Sequence, residues 1–187
     1  MREGQVHRGG DRVAAELGAS AARRQLLGER DRELHALEHG EVIAQAEVRA
    51  AAELAGSLAS DSGEPVLVLA GSGNNGGDAL VTARLLAAQG FRAVVVSRAD
   101  PARLPPDAAR AWAAWRECGG AILADIPSGQ RYSLVIDGLF GIGLQRDISG
   151  EDARWIAQAQ ALNCPKLALD VPSGLDADCG RVRGCAL

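Results

Sequence analysis

The sequence predicts an α/β fold with three layers, doubly wound around a mainly parallel sheet and preceded by helices. Three observations predict it. From residue 65 onward, apolar runs of strand length alternate with segments of helical spacing. The first run, VLVLA at 66–70, is apolar throughout, as a strand covered on both faces must be. Gly-rich or polar loops follow three of the runs, where open parallel sheets bind ligands.

The elements follow in order. The first 60 residues carry 8 Arg and 10 acidic residues and are rich in Ala, which predicts helices near 11–27 and 29–58 with breaks at Gly28 and Gly40. Val42, Ile43, Ala46, Ala50, Leu54 and Leu58 recur at helical spacing, so this stretch is expected to pack on the sheet. After 66–70 comes a Gly-rich turn and a helix, DALVTARLLAAQG, closed by Gly90. FRAVVVS (91–97) reads as the second strand. PPDAARAWAAWRECGG (105–120) reads as a helix with Pro at its start and Gly past its end, Trp112 and Trp115 facing the core. AILA (121–124) is a short strand and YSLVID (132–137) a clearer one. SGEDARWIAQAQALN (149–163) is a helix with Ser149 as N-cap and Asp152 three residues on. KLALD (166–170) is the last strand. The architecture is Rossmann-like.

Composition excludes several functions. The chain has 187 residues, enough for one core, and a net charge of −4 that favours neither nucleic acid nor an anionic membrane. No apolar run approaches the ~20 residues of a membrane span. The start MREGQVHRGGDR lacks the apolar segment of a secretory leader, and a cytoplasmic protein is expected. Cys118, Cys164, Cys179 and Cys185 form no CxxC pair and are expected to be reduced and structural. Lys166 is the sole lysine, so lysine chemistry has one site. His35, Glu38 and His39 match H-x-x-E-H, but with no third ligand in view the stretch reads as a solvated helix face.

The loops are GSGNNGGD (71–78), DGLFGIGLQRDISG (137–150) and DVPSGLDADCG (170–180), and they hold ten of the 23 glycines. Crowding of this kind suits backbone that closely approaches a ligand. Gly71, Gly73 and Gly76 spell G-x-G-x-x-G between a strand and a helix, a place for phosphate at a helix N-terminus. The acidic residue that a dinucleotide fingerprint needs after the second strand is missing. Ser97 and Arg98 stand there instead, and Arg98 could suit a 2′-phosphate. Asp137 and Asp170 each end an apolar strand, and as a pair they could bind a cation or divide acid and base roles.

Together, AGSGNNGGDALVTARLL, VIDGLFGIGLQRDISG and LALDVPSGLDADCG resemble the NAD(P)H-hydrate epimerases, the YjeF N-terminal domain family. The resemblance implies an isomerase that interconverts the R and S forms of nicotinamide cofactor hydrated at C6. It implies substrate binding by Asn74, Asn75, Gly76, Gly77 and Asp78, and by Gly141, Ile142, Gly143, Leu144, Gln145, Arg146 and Asp147. It implies a potassium ion held at Asn75, Asp137 and Ser173, and Asp170 beside the reacting ring as the catalytic group. The implied partners are hydrated NADH or NADPH and an ADP- or ATP-dependent dehydratase, with a homodimer among the arrangements allowed. It divides the chain into an unmatched helical segment, 1–40, and a domain, 41–187. That domain is short for the family at its C-terminal end, as in the N-terminal part of a bifunctional repair enzyme. Two other readings stand beside this one: a non-catalytic nucleotide- or partner-binding module of the same fold, and an NAD(P)-dependent dehydrogenase.

Overall fold

The computed structural model describes residues 41–59 and 63–187. The helix expected at 11–27, the first part of that at 29–58, and His35, Glu38 and His39 lie outside the described residues. The described elements are α1 (Glu41–Leu58), β1 (Val66–Ala70), α2 (Asn74–Ala88), β2 (Ala93–Val96), a 3-10 turn (Pro101–Arg103), α3 (Pro106–Glu117), β3 (Ile122–Leu123), β4 (Leu134–Gly138), α4 (Gly150–Ala161) and β5 (Lys166–Ala168).

The five strands are parallel and ordered β3-β2-β1-β4-β5. The chain builds outward from β1 on one side and then crosses to the other, so the order reverses between β1 and β4. That crevice is where an open α/β sheet binds ligands. β1 is the centre, and its period of two splits the core. Val66, Val68 and Ala70 face Ala55, Leu80, Ala83, Leu86 and Trp115 of α1, α2 and α3. Leu67 and Leu69 face Trp155, Ile156 and Ala159 of α4 on the other side. This is the expected three-layer sandwich.

Boundaries depart from the sequence expectations in places that matter for the site. α2 begins at Asn74, four residues before the expected start, so Asn74-Asn75-Gly76-Gly77 is its first turn and not a loop. Glycine there costs roughly 1 kcal/mol of helix propensity per residue, but close packing requires it. A Cβ on Gly76 would overlap the Gly71 carbonyl oxygen, and one on Gly77 would lie 2.9 Å from Ala108 Cα. Ser149 occupies the N-cap of α4 in extended geometry, yet its side chain makes no capping hydrogen bond. β5 ends at Ala168, so Asp170 lies past the strand. Trp112 and Trp115 pack on the core as expected, and Trp115 Nε1 donates to the Ala121 carbonyl at 3.0 Å. The four cysteines are free, but Cys118 and Cys179 are exposed rather than buried. Lys166 donates to the Leu162 and Cys164 carbonyls, where it ties the turn entering β5 at the end of the strand away from Asp170.

Candidate functional site

The site is built where β1, β4 and β5 end. Asp137 pairs with Leu69 and Ala168 in the sheet, so an ionisable group stands inside the core at the reversal of strand order. Its side chain is wholly buried. Ser173 folds back over it: the Ser173 N–H donates to Asp137 Oδ2 at 2.7 Å and the hydroxyl to Oδ1 at 2.6 Å. The Leu139 N–H donates to Oδ1 at 3.2 Å. Burial pushes the Asp137 carboxyl up from its ordinary value, and the Ser173 and Leu139 donors pull the other way without cancelling it. No cationic side chain pairs with it among the described residues.

Phe140 joins the loops through its backbone. Its N–H donates to Ser173 Oγ at 2.9 Å, and its carbonyl accepts from Asn75 Nδ2 at 2.9 Å. One residue thus links the first turn of α2, the loop after β4 and the loop after β5. Asn75 uses its amide nitrogen in this link, which leaves its oxygen as the atom able to meet a cation. Backbone contact is equally tight. The Gly71 N–H donates to the Gly138 carbonyl at 2.9 Å, and a Cβ on Gly71 would overlap the Leu139 carbonyl.

Asp170 differs from Asp137 in every respect. It is exposed, and it has φ +73°, the one positive φ of a non-glycine residue among those described. Asp tolerates this conformation better than most residues, but the surroundings still have to hold it there. The Ile142 N–H holds its Oδ2 at 2.8 Å, and Gly141 has no side chain because one would collide with that oxygen. The two carboxylates therefore stand in different surroundings: Asp137 is buried in the core, and Asp170 is exposed beside the Gly141–Ile142 backbone.

The remaining expected positions divide in two. Gly76 and Gly77 are buried, Asn75 and Asp78 are half-buried, and Asn74 is exposed at the helix start. Ile142, Gly143, Gln145, Arg146 and Asp147 are exposed, with Leu144 half-buried. Arg146 lies over the Phe140 ring, 5.5 Å from its centroid, and 3.7 Å from Asp152. Arg98 donates from Nη1 to Glu151 at 2.8 Å and is half exposed. No group of three or more His, Cys, Asp or Glu suited to a metal exists among the described residues.

Sequence reasoning missed Asp125, whose Oδ1 accepts from Trp155 Nε1 at 2.8 Å and whose Oδ2 accepts from Arg154 at 2.7 Å. It also missed Asp176, buried to 7% exposure and bonded to the Asp178 N–H, the Cys179 N–H and Arg183. A D-x-D step at the end of a Gly-rich run was the only signal. The Asp178 amide above all, with the Cys179 amide and Arg183, holds the Asp176 carboxyl below its ordinary value against the opposing effect of burial. A depressed folded value stabilises the fold fully above the unfolded pKa of about 3.9 and is lost as pH falls through the folded value. Asp176→Asn is therefore expected to lower Tm at pH 7 and to flatten the acid limb of a Tm-against-pH curve below about pH 4.

A five-stranded parallel sheet with Gly-rich loops at its reversal point defines a Rossmann-like α/β domain. Within that class the chain belongs to the family of the YjeF-related protein N-terminus, whose model matches residues 40–187. It is 56% identical over 123 residues to an NAD(P)H-hydrate epimerase of Bordetella pertussis, covering 66% of this chain and 54% of that protein. Against an NAD(P)H-hydrate epimerase of Rhodobacter capsulatus it is 43% identical over 115 residues, 60% of this chain and 53% of that one. The chain thus spans about half the length of the curated relatives it matches. The crystal structure of yeast ynu0 superposes with a TM-score of 0.65 at 21% identity, covering 87% of this chain and 74% of that one, and shares the fold. No helix among the described residues is long and apolar enough to cross a membrane.

Proposed function

We propose that this chain epimerises hydrated NADH or NADPH at C6, the activity for which its relatives are named. The observation that carries the reading is the joining of three loops through Phe140, with Asp170 held beside them on the Ile142 N–H. The first turn of α2 presents backbone N–H groups where a pyrophosphate is bound in such folds. The loop 141–147 and residues 74–78 then enclose the dinucleotide. Inverting C6 breaks and remakes one bond at a carbon that carries both a hydroxyl and the ring nitrogen. Whether C6–O or C6–N opens, a proton must be given and taken back. Asp170 is the exposed carboxylate placed to exchange it, and its strained backbone fits a residue held for chemistry.

The buried Asp137 carboxylate, without a cationic partner, fits a hard monovalent cation. Its oxygens, Ser173 Oγ and the Asn75 amide oxygen make an all-oxygen donor set. Potassium bound there would supply positive charge beneath the cradle and fix the loops. The reading places the chain in the cytoplasm, upstream of a dehydratase that consumes one epimer, and allows a homodimer.

Two outcomes are expected. Purified protein should interconvert separated epimers of hydrated NADH, followed by chromatography. Potassium chloride should also raise Tm more than sodium or lithium chloride at equal ionic strength, reflecting a stabilisation of ~2.7 kcal/mol at 100-fold excess over Kd. Asp137→Asn should abolish that potassium-specific increment. An equal increment in all three salts would remove the cation from the account.

A further inference from the structure

The 141–148 loop bears most of the expected substrate contacts, yet few of its own groups are tied down. At its start, Phe140 is fixed by Asn75 and Ser173, and Ile142 by Asp170. At its far end the anchor is a segment that sequence reasoning gave no role. The Ile148 N–H donates to the Arg183 carbonyl at 3.0 Å, and the Arg183 guanidinium reaches the Gln145 carbonyl at 3.4 Å. Gly184 lies against Ile148 with φ +77°, and a Cβ there would overlap the Ile148 carbonyl.

Arg183 is in turn fixed by Asp176. Its Nε donates to Asp176 Oδ2 at 2.8 Å, and its Nη2 donates to the same oxygen. The backbone between them turns as a tight ribbon: Leu175 bridges Val182 antiparallel, Asp176 N–H meets the Arg181 carbonyl at 2.8 Å, and Arg183 N–H meets Gly174 O at 2.8 Å. The Leu187 N–H closes on the Ser173 carbonyl at 3.0 Å. The ribbon therefore runs from Ser173, beside Asp137, to the end of the loop opposite Asp170.

From this geometry we infer that Asp176 and Arg183 are positioning residues, a buckle that holds the 141–148 loop closed on the site and so sets affinity for the hydrated dinucleotide. The inference rests on the epimerase reading for its substrate and on the structure alone for the buckle. The pair touches none of the expected catalytic groups. Its loss should therefore fall on binding: a loosened loop must be ordered when the dinucleotide binds, which weakens affinity without altering the reacting groups. A buttress that merely supported the whole fold would lower kcat and quicken exchange in the sheet as well as in the loop.

The test compares wild type, Arg183→Gln and Arg183→Lys as purified full chains. On separated epimers of hydrated NADH, Arg183→Gln should raise KM roughly tenfold with kcat within about twofold. Arg183→Lys keeps the charge opposite Asp176 and should recover part of the loss. Hydrogen exchange should quicken at the Ile148 and Leu144 amides in Arg183→Gln and stay unchanged at Val135 in β4. A wild-type KM, or a fall in kcat at constant KM, overturns the inference, as does unchanged exchange at Ile148. Should the wild type itself not interconvert the epimers, the epimerase reading fails and the exchange arm alone decides the buckle: faster exchange supports it and unchanged exchange removes it.

Discussion

Asp170→Asn is expected to lower kcat for epimerisation by ~10²-fold or more, the scale on which a positioned proton-transfer group contributes, and to leave affinity for the dinucleotide within about threefold. The substitution is clean on structural grounds. Asn accepts the left-handed conformation at φ +73° about as well as Asp. Its amide oxygen can still receive the Ile142 N–H that now reaches Oδ2 at 2.8 Å. What disappears is the group that gives and takes a proton. Single-turnover rates and equilibrium binding of the hydrated dinucleotide would separate the two effects. Unaltered turnover would remove Asp170 from the chemistry.

Gly76→Ala is expected to be strongly damaging for a single added methyl. Its Cβ would overlap the carbonyl oxygen of Gly71, a residue whose own N–H is held on the Gly138 carbonyl, so relieving the clash strains the β1–β4 crevice. Overpacking of this kind costs typically ~1–3 kcal/mol and more against backbone, which is about 2–12 °C in Tm for a domain of this size. Dinucleotide binding should be lost with it, because the first turn of α2 is displaced. Gly73→Ala is the control. Gly73 sits at φ −106° with open space around a Cβ, so its cost should stay within about 1 kcal/mol. Equal Tm values for the two variants would contradict the packing argument.

These two residues also show what could be read in the sequence and what could not. β1 was legible because a run of five apolar residues, bounded by Pro65 and Gly71, has the length and flanks of a strand covered on both faces, and the structure buries all five. Asp137 was legible as an ionisable group ending an apolar run. The Gly-rich stretch was read as a loop, and the structure makes it a helix start. Local propensity reads Asn-Asn-Gly-Gly as a turn, whereas close contact with Gly71 and Ala108 makes it the opening of α2. Tertiary packing overrode propensity there.

Asp170 was expected at the end of β5 beside Asp137. The strand stops at Ala168, and a left-handed residue turns the carboxylate outward, which no periodicity announces. The pairing of Arg98 with Glu151 was not legible, because Glu151 is 53 residues away on α4. The Asp176–Arg183 pair was hidden for a related reason. Its spacing of seven residues suits no regular element and becomes a contact only when Leu175 and Val182 bridge. Sequence patterns report on strands and helices, while the loops of the site are shaped by contacts across the sheet edge.

The most direct test of the central claim starts from one purified epimer of hydrated NADH, in potassium buffer, with wild type and Asp170→Asn run in parallel. Chromatographic sampling should show the wild type driving the mixture to its equilibrium ratio well ahead of the uncatalysed drift, with no change in the total of the two epimers. The Asp170→Asn sample should follow the drift. A folded wild-type protein that leaves the single epimer at the uncatalysed rate would contradict the account.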